Sequence, residues 1–329
     1  MSWMSTLTWE DAQRRAEILD SIRVFFKERK VVEVETPALS QGTITDVHLD
    51  ALSCDYNYME DSSLNKASRL YLQTSPEFHM KRLLASGYQS IFQIAKSFRH
   101  EGAGRFHNPE FTMLEWYRVG LDHFELMDEV SDLLCLTLAC EKPYRISYQE
   151  IFKECTGIDP LATSREQLSA YINLHGKLDN WLIESSKEDG DNDMLLQFIF
   201  SEFVENRIGS DAPCFVYDFP VSQASLAKVS SQDKKVAHRF ECYFQGIELA
   251  NGFNELTDGQ IQLKRFNTDN TKRSSLGLDK RAIDDNFIQA LNAGIPDCSG
   301  VALGIDRLVM IALSIGKIEN VISFPINNA

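Results

Sequence analysis

Residues 91–118 read IFQIAKSFRHEGAGRFHNPEFTMLEWYR. Ile91 to Arg99 and Phe111 to Arg118 read as strands, and the polar loop from His100 to Glu110 joins them with Gly102, Gly104 and Pro109. A long-loop hairpin of this kind sets the residues at its two strand ends side by side. Arg99 can then present a fork of donors to phosphate oxygens. Glu101 can accept from an exocyclic amine, and Phe111 offers a flat stacking face. An ordinary surface hairpin laced with ion pairs uses the same residue types.

Around this hairpin the chain alternates strands and helices without repeats. Upstream, Ala12, Ala16, Leu19, Ile22, Phe25 and Phe26 recur at helical spacing between Asp11 and Lys30. Val31 to Thr36 reads as a strand stopped by Pro37. Leu70 to Thr74 reads as another, and Pro76 opens a helix to about Ser86 with Ser75 as its N-cap. Downstream come a helix from Phe124 to Cys140 and a mostly helical stretch from about Tyr148 to Asn206, broken by the acidic loop Ser185 to Asp193. Strands follow at Phe215–Phe219, Arg239–Ile247 and Leu249–Leu256. Gln260 to Asp284 reads as a charged helix with a loop near Gly277. Val301 to Ile305 is the last strand, and Asp306 begins the closing helix. Antiparallel strands with helices inserted between them predict an α+β class: a mainly antiparallel sheet flanked by helices, in a single domain over 1–329 with a mostly helical insertion at about 148–210. No strand is followed by G-x-G-x-x-G and no G-K-[ST] loop occurs, so Rossmann and P-loop readings are poor.

Composition narrows the class. Apolar residues make up 43% of the 329, enough for a sizeable core, and no apolar run reaches the ~18 residues of a membrane span. The first ten residues lack the basic and apolar regions of a secretory signal. Seven scattered cysteines, none in a C-x-x-C pair, suit a reduced cytoplasmic protein rather than a zinc or disulfide framework. The formal net charge of −15 disfavours extended contact with a phosphate backbone.

Two further stretches carry chemistry. Residues 240–256, FECYFQGIELANGFNEL, set Glu241, Glu248 and Glu255 among aromatic and aliphatic neighbours. Buried carboxylates need partners, and Mg²⁺ shared with nucleotide phosphates would serve; an amphipathic strand pair with its acids in water reads the same way. Residues 300–308, GVALGIDRL, form a strand of small residues that lets a flat ligand approach the backbone, with Arg307 after it to stack or pair.

Taken in order, these stretches resemble the three motifs of class II aminoacyl-tRNA synthetases: Asp11–Pro37, Phe98–Tyr117 and Gly300–Val309. The F-R-x-E…H-N-P-E-F-T-x-L-E-x-Y and G-x-E-L-x-N-G-F-x-E-L strings resemble the lysyl type. The resemblance implies that Arg99 holds the α-phosphate of ATP. It implies that His100, Glu101, His107, Asn108, Glu248, Leu249 and Gly304 seat the nucleotide, and that Phe111 and Arg307 sandwich the adenine. Glu241 and Glu248 would hold Mg²⁺. Ser75, Pro76 and Glu77 would meet the substrate's backbone amine, Tyr117 and Glu255 its ε-ammonium, with Asn251 and Ala302 in the same pocket. Arg99 and Arg307 would carry catalysis by neutralising charge as the substrate carboxylate attacks the α-phosphorus.

Three departures refine this. The motif 1 helix begins about ten residues from the start, so no OB-fold anticodon-binding domain is expected. Ala302 stands where the synthetases usually have glycine, and Arg105 lies one place earlier than the usual loop arginine. A lysyl-type core of this shape resembles the group that activates (R)-β-lysine and passes it to a lysine side chain of elongation factor P. Ser222–Ala227 (SQASLA) and Pro296–Gly300 (PDCSG) support that likeness. The expected partners are elongation factor P, lysine or (R)-β-lysine, and a second copy of the chain packed through motif 1, where Ile22, Phe25 and Phe26 supply apolar surface. No membrane is expected and tRNA is disfavoured. The rivals are a truncated synthetase charging tRNA or a tRNA-like RNA, and a non-catalytic binder.

Overall fold

The computed structural model describes residues 3–56, 69–177, 182 and 192–329. The acidic break expected between Ser185 and Asp193 lies almost wholly outside them. The chain divides into two compact units.

The first unit holds residues 1–122, 132–139 and 257–329. Its opening helix α1 (Trp9–Glu28) is capped by Thr8, whose hydroxyl accepts from the Asp11 amide. Strand β1 is only Val32–Glu33 rather than the expected Val31–Thr36. One more backbone bond, from Val34 to Phe92, follows before Pro37, which has no N–H to give. β1 runs parallel to β5 (Ile91–Phe98), and β5 pairs antiparallel with β6 (Glu110–Val119) from Ile91–Tyr117 to Phe98–Glu110. β6 in turn pairs antiparallel with β11 (Cys298–Gly304), from Val119–Cys298 to Met113–Gly304. A separate small sheet has the order β2 (Leu39–Ser40), β4 (Arg69–Leu72), β3 (Ser53–Asp55).

Successive side chains of a strand point to opposite faces. One face of β6 therefore carries Thr112, Leu114 and Trp116, and this face is core. Phe26 of α1 stacks on Phe92 at 4.4 Å and meets Trp116 edge-on at 5.3 Å. Ile22, Phe25 and Phe26 are all buried within the unit. This corrects the expectation that they supply a dimer surface: the apolar stripe of α1 is spent on its own sheet. Asp306, in the first turn of α9 (Ile305–Ala312), accepts from the Thr112 amide at 2.6 Å and pairs with Arg15 of α1 at 2.7 Å. Helix, sheet and closing helix are thus joined at one carboxylate.

The second unit holds residues 123–131 and 140–256. β7 (Tyr144–Ser147) is parallel to β8 (Cys214–Pro220), which pairs antiparallel with β9 (Val236–Phe244). β9 and β10 (Ile247–Asn254) form a hairpin whose two turn residues, Gln245 and Gly246, both have positive φ (53° and 72°). Two such residues make the turn type that matches strand twist. It falls inside the strand expected over Arg239–Ile247. Helix α4 (Tyr148–Thr156) starts with a capping box between Ser147 and Glu150 and ends at Gly157. With α5 (Arg165–Leu174) and α6 (Asp193–Phe203) it covers a core in which Tyr148 stacks on Phe200 at 4.9 Å.

Candidate active-site residues in each unit

The face of β6 opposite the core carries Phe111, Met113, Glu115 and Tyr117. Across from the last three on β11 stand Gly304, Ala302 and Gly300. Small residues there leave the backbone uncovered along this face. At Gly304 an added Cβ would meet only the Arg307 side chain, at ordinary contact distance (3.6 Å), so the fold itself does not demand glycine.

Arg99, just past β5, sets its guanidinium 5.1 Å from the centre of the Phe111 ring. Its amide bonds the Pro109 carbonyl, closing the hairpin loop. Arg307 donates from Nε to the Phe106 carbonyl at 3.2 Å. His107 is half-buried near both arginines. Burial, then the charges of Arg307 and Arg99, hold its pKa below the usual histidine range, against the pull of Glu101. Asn108 is buried and spends its amide on the chain: Nδ2 donates to the Glu110 carbonyl and Oδ1 accepts from Ile326 N–H. Arg105 is likewise committed, donating to the Gly316 carbonyl at 3.0 Å. His100 is exposed, 3.4 Å from Asp50.

About 13 Å further along β6, by strand rise from Phe111 to Glu115, lies a carboxylate cluster. Ser75 and Tyr117 both donate to Glu115, Tyr117 at 2.7 Å. Ser75 is therefore not the N-cap of α2 (Glu77–Ala85). Pro76 occupies that position and Ser75 accepts only a long bond from the Glu77 amide (3.3 Å). Glu77 pairs with Lys81 at 2.6 Å, and the Lys81 side chain is only 1% exposed. Lys81 has no place among the residues picked from sequence, although its i,i+4 spacing from Glu77 signals the pair. Burial, then the charge of Glu77, pushes the Glu115 carboxyl up to about 7, against the donors Ser75 and Tyr117 and the charge of Lys81. This end of the face is a buried cluster of two carboxylates that already holds one ammonium group, that of Lys81.

The second unit brings together Glu241, Glu248 and Asn251. The register of β10 on β9 shifts between Glu248 and Ala250. Glu248 stands opposite Tyr243 and Asn251 opposite Glu241. Strict alternation would put Glu248 and Asn251 on opposite faces; the extra residue, Leu249, puts them on one. Leu249 buries its own side chain. Glu241 accepts from Arg239, from the Tyr243 hydroxyl and from Asn251 Nδ2 at 3.0 Å. A carboxylate has about four acceptor positions, so one remains. Two carboxylates on one face are a donor set that fits Mg²⁺. Arg239 is largely buried, its side chain 18% exposed; burial opposes its charge, but Glu241 and Glu248 raise its pKa further. Glu255 is buried beyond β10, where its backbone bridges to Ala227 and Leu256 donates to Leu226. The SQASLA segment thus braces the strand end that bears Glu255.

The family described as tRNA synthetases class II (D, K and N) matches residues 5–328. A protein of Vibrio parahaemolyticus named elongation factor P–(R)-β-lysine ligase is 51% identical over 324 residues, 98% of each chain. Proteins of the same name from Photobacterium profundum and Yersinia enterocolitica are 51% and 52% identical, over 99% and 100% of this chain and 99% and 98% of their own. The chain therefore belongs to the class II tRNA synthetase family of the D, K and N type.

Proposed function

We propose that this chain activates (R)-β-lysine with ATP and transfers it to a lysine side chain of elongation factor P. The substrate carboxylate attacks the α-phosphorus and pyrophosphate leaves. The acceptor amine then attacks the acyl carbon, AMP leaves and an amide forms. One observation carries the reading: relatives that share half of all residues over practically the whole length bear this ligase name. The face of β6 opposite the Trp116 side supports it. Arg99 and Arg307 stand at one end to meet phosphate, and Glu115, Glu77 and Tyr117 at the other to meet ammonium. Magnesium held by Glu241 and Glu248 would supply further neutralisation of phosphate charge. Asn251 and Glu255 take their substrate roles from the resemblance of their string to the lysyl type.

The test is transfer of labelled (R)-β-lysine to purified elongation factor P or to lysine tRNA. Label on the protein alone is expected. Label on the tRNA would restore the charging reading, which the acceptor named for the relatives and the net charge of −15 disfavour.

Ala302 should contribute to substrate choice. It stands opposite Glu115, where facing Cβ atoms lie ~4.5–5.5 Å apart. The two lysine isomers differ in which carbon bears the second amine, a shift of ~1.5 Å. A methyl group can crowd one placement and brace the other. Ala302→Gly is expected to move the ratio of kcat/KM for α-lysine over (R)-β-lysine upward by ~10-fold. An unaltered ratio removes Ala302 from selectivity.

A homodimer and a cytoplasmic setting belong to the same reading. Trp9, Val24 and Val32 are the exposed apolar residues on and beside α1, and isologous pairing is the commonest oligomer. All seven cysteines are free, as a reducing compartment requires. Sedimentation velocity at micromolar concentration should find a dimer; a stable, active monomer would refute it.

A further inference from the structure

The proposed reaction leaves unused a compact group of two histidines and an aspartate in the second unit. His123 opens helix α3 (His123–Leu138), Asp218 lies in β8 and His238 in β9. One ligand-capable atom from each falls within 4.8 Å of the others. Asp218 Oδ1 is 3.3 Å from His238 Nδ1 and 3.7 Å from His123 Nε2. The two imidazoles stack with centroids 4.4 Å apart.

Local chain geometry creates the group. The register of β8 on β9 slips between Tyr217 and Phe219, and Asp218, inside the slip, has a φ of 57°. A bulge re-aims a side chain, and here it turns the carboxylate towards both rings. Left-handed backbone is disfavoured for residues other than glycine and collects at functional positions. The His123 side chain is only 4% exposed, yet neither of its ring nitrogens has a hydrogen-bond partner. Buried polar atoms without partners are uncommon and costly. His238 and Asp218 remain 24% and 26% exposed, so the group is open to solvent on one side.

We propose that His123, Asp218 and His238 form a binding site for a divalent transition metal, zinc by preference, with water completing the coordination. Imidazole suits zinc and its neighbours, whereas Mg²⁺ and Ca²⁺ seek oxygen. Ligand atoms of a tetrahedral zinc ion with bonds of ~2.0–2.1 Å stand about 3.3 Å apart. The 3.3 and 3.7 Å separations from Asp218 match this spacing, and the two ring nitrogens, within 4.8 Å of each other, would close on the ion. An ion would also satisfy the buried His123 ring. The ligands come from a helix start and two adjacent strands, so the ion would staple these elements and stabilise the folded chain by mass action.

The test uses the full chain, stripped with a chelator and titrated with zinc chloride against a chromogenic competitor, with magnesium in excess. One zinc per chain is expected at micromolar concentration or below. His238→Ala and Asp218→Asn should each weaken binding by more than about 100-fold, since even the loss of an outer-shell partner costs 10–100-fold. Glu248→Gln should bind zinc as the unaltered chain does. Cobalt bound to the unaltered chain should give visible bands without thiolate charge transfer, and this readout stands even if a variant misfolds. Absence of binding, undiminished binding by a folded His238→Ala chain, or a thiolate band from one of the free cysteines would each overturn the proposal.

Discussion

Arg99→Ala is expected to lower ATP–pyrophosphate exchange by roughly 10²–10³-fold, and Arg307→Ala by a similar factor, with thermal stability little changed. Arg99 follows the end of β5 and Arg307 lies in the first turn of α9; the Arg99 backbone N–H bonds the Pro109 carbonyl and Arg307 Nε bonds the Phe106 carbonyl. The Arg307 guanidinium is thus oriented before any phosphate arrives, and that of Arg99 lies 5.1 Å from the centre of the Phe111 ring. His107 beside them is kept from protonating by burial and by the arginines themselves. It cannot substitute for a lost positive charge at neutral pH. Arg99→Lys keeps the charge but loses the planar fork, so it should recover only part of the activity. Exchange above about a tenth of the wild-type rate in a folded Arg99→Ala chain would remove Arg99 from catalysis.

Glu115→Gln should show the second large effect, split between stability and function. In the folded chain the Glu115 carboxyl rises from its usual 4.5 to about 7, burial first and the Glu77 charge second. Between those values the folded chain keeps a proton that the unfolded chain has released. Folded stability therefore falls as pH rises across this window and is level above it. The shift corresponds to on the order of 3 kcal/mol. A glutamine is neutral throughout, and the Ser75 and Tyr117 hydroxyls can turn from donors to acceptors. Urea denaturation at several pH values should find the variant less pH-dependent, and more stable than wild type above neutrality by up to about 3 kcal/mol. Exchange should collapse, because glutamine cannot neutralise an ammonium. The same ionisation predicts that lysine binding by the unaltered chain tightens as pH rises through 7. Stability curves that run parallel for the two proteins would show that Glu115 ionises normally.

Much of this was legible in the sequence because the signals were local. The hairpin Ile91–Val119 announces itself by strands around a Gly- and Pro-bearing loop, and the observed ends differ from the reading by a residue or so. Once Phe111, Glu115 and Tyr117 lie on one strand at even spacing, a shared face follows. The losses occurred where local pattern is silent. The stripe of Ile22, Phe25 and Phe26 says that a surface is covered, not whether its own sheet or a partner covers it. The turn Gln245–Gly246 lies between residues that continue to look like strand on both sides. Helix Asp285–Ala293, capped by Asp284, follows a polar stretch without an apolar rhythm to mark where one element stops and the next begins. His123, Asp218 and His238 are far apart in sequence, and only the sheet register and the slip at Asp218 bring them together.

The excess residue Leu249 makes chain length, more than residue type, the vulnerable quantity in this part of the molecule. Substitutions along β10 alter one contact each. Removing a single residue from Asn251 onward would instead turn over everything downstream as a set, because side-chain facing has a period of two, whereas loss of Leu249 itself would leave a regular ladder with Asn251 still opposite Glu241. Asn251 and Phe253 would exchange faces with Gly252 and Asn254, and the segment holding Glu255 against Ala227 would lose its partner. Among descendants of this chain, insertions and deletions should therefore be far rarer between Asn251 and Glu255 than amino-acid replacements. A comparison that tolerates conservative exchange here but penalises gaps heavily would follow the way this strand actually fails.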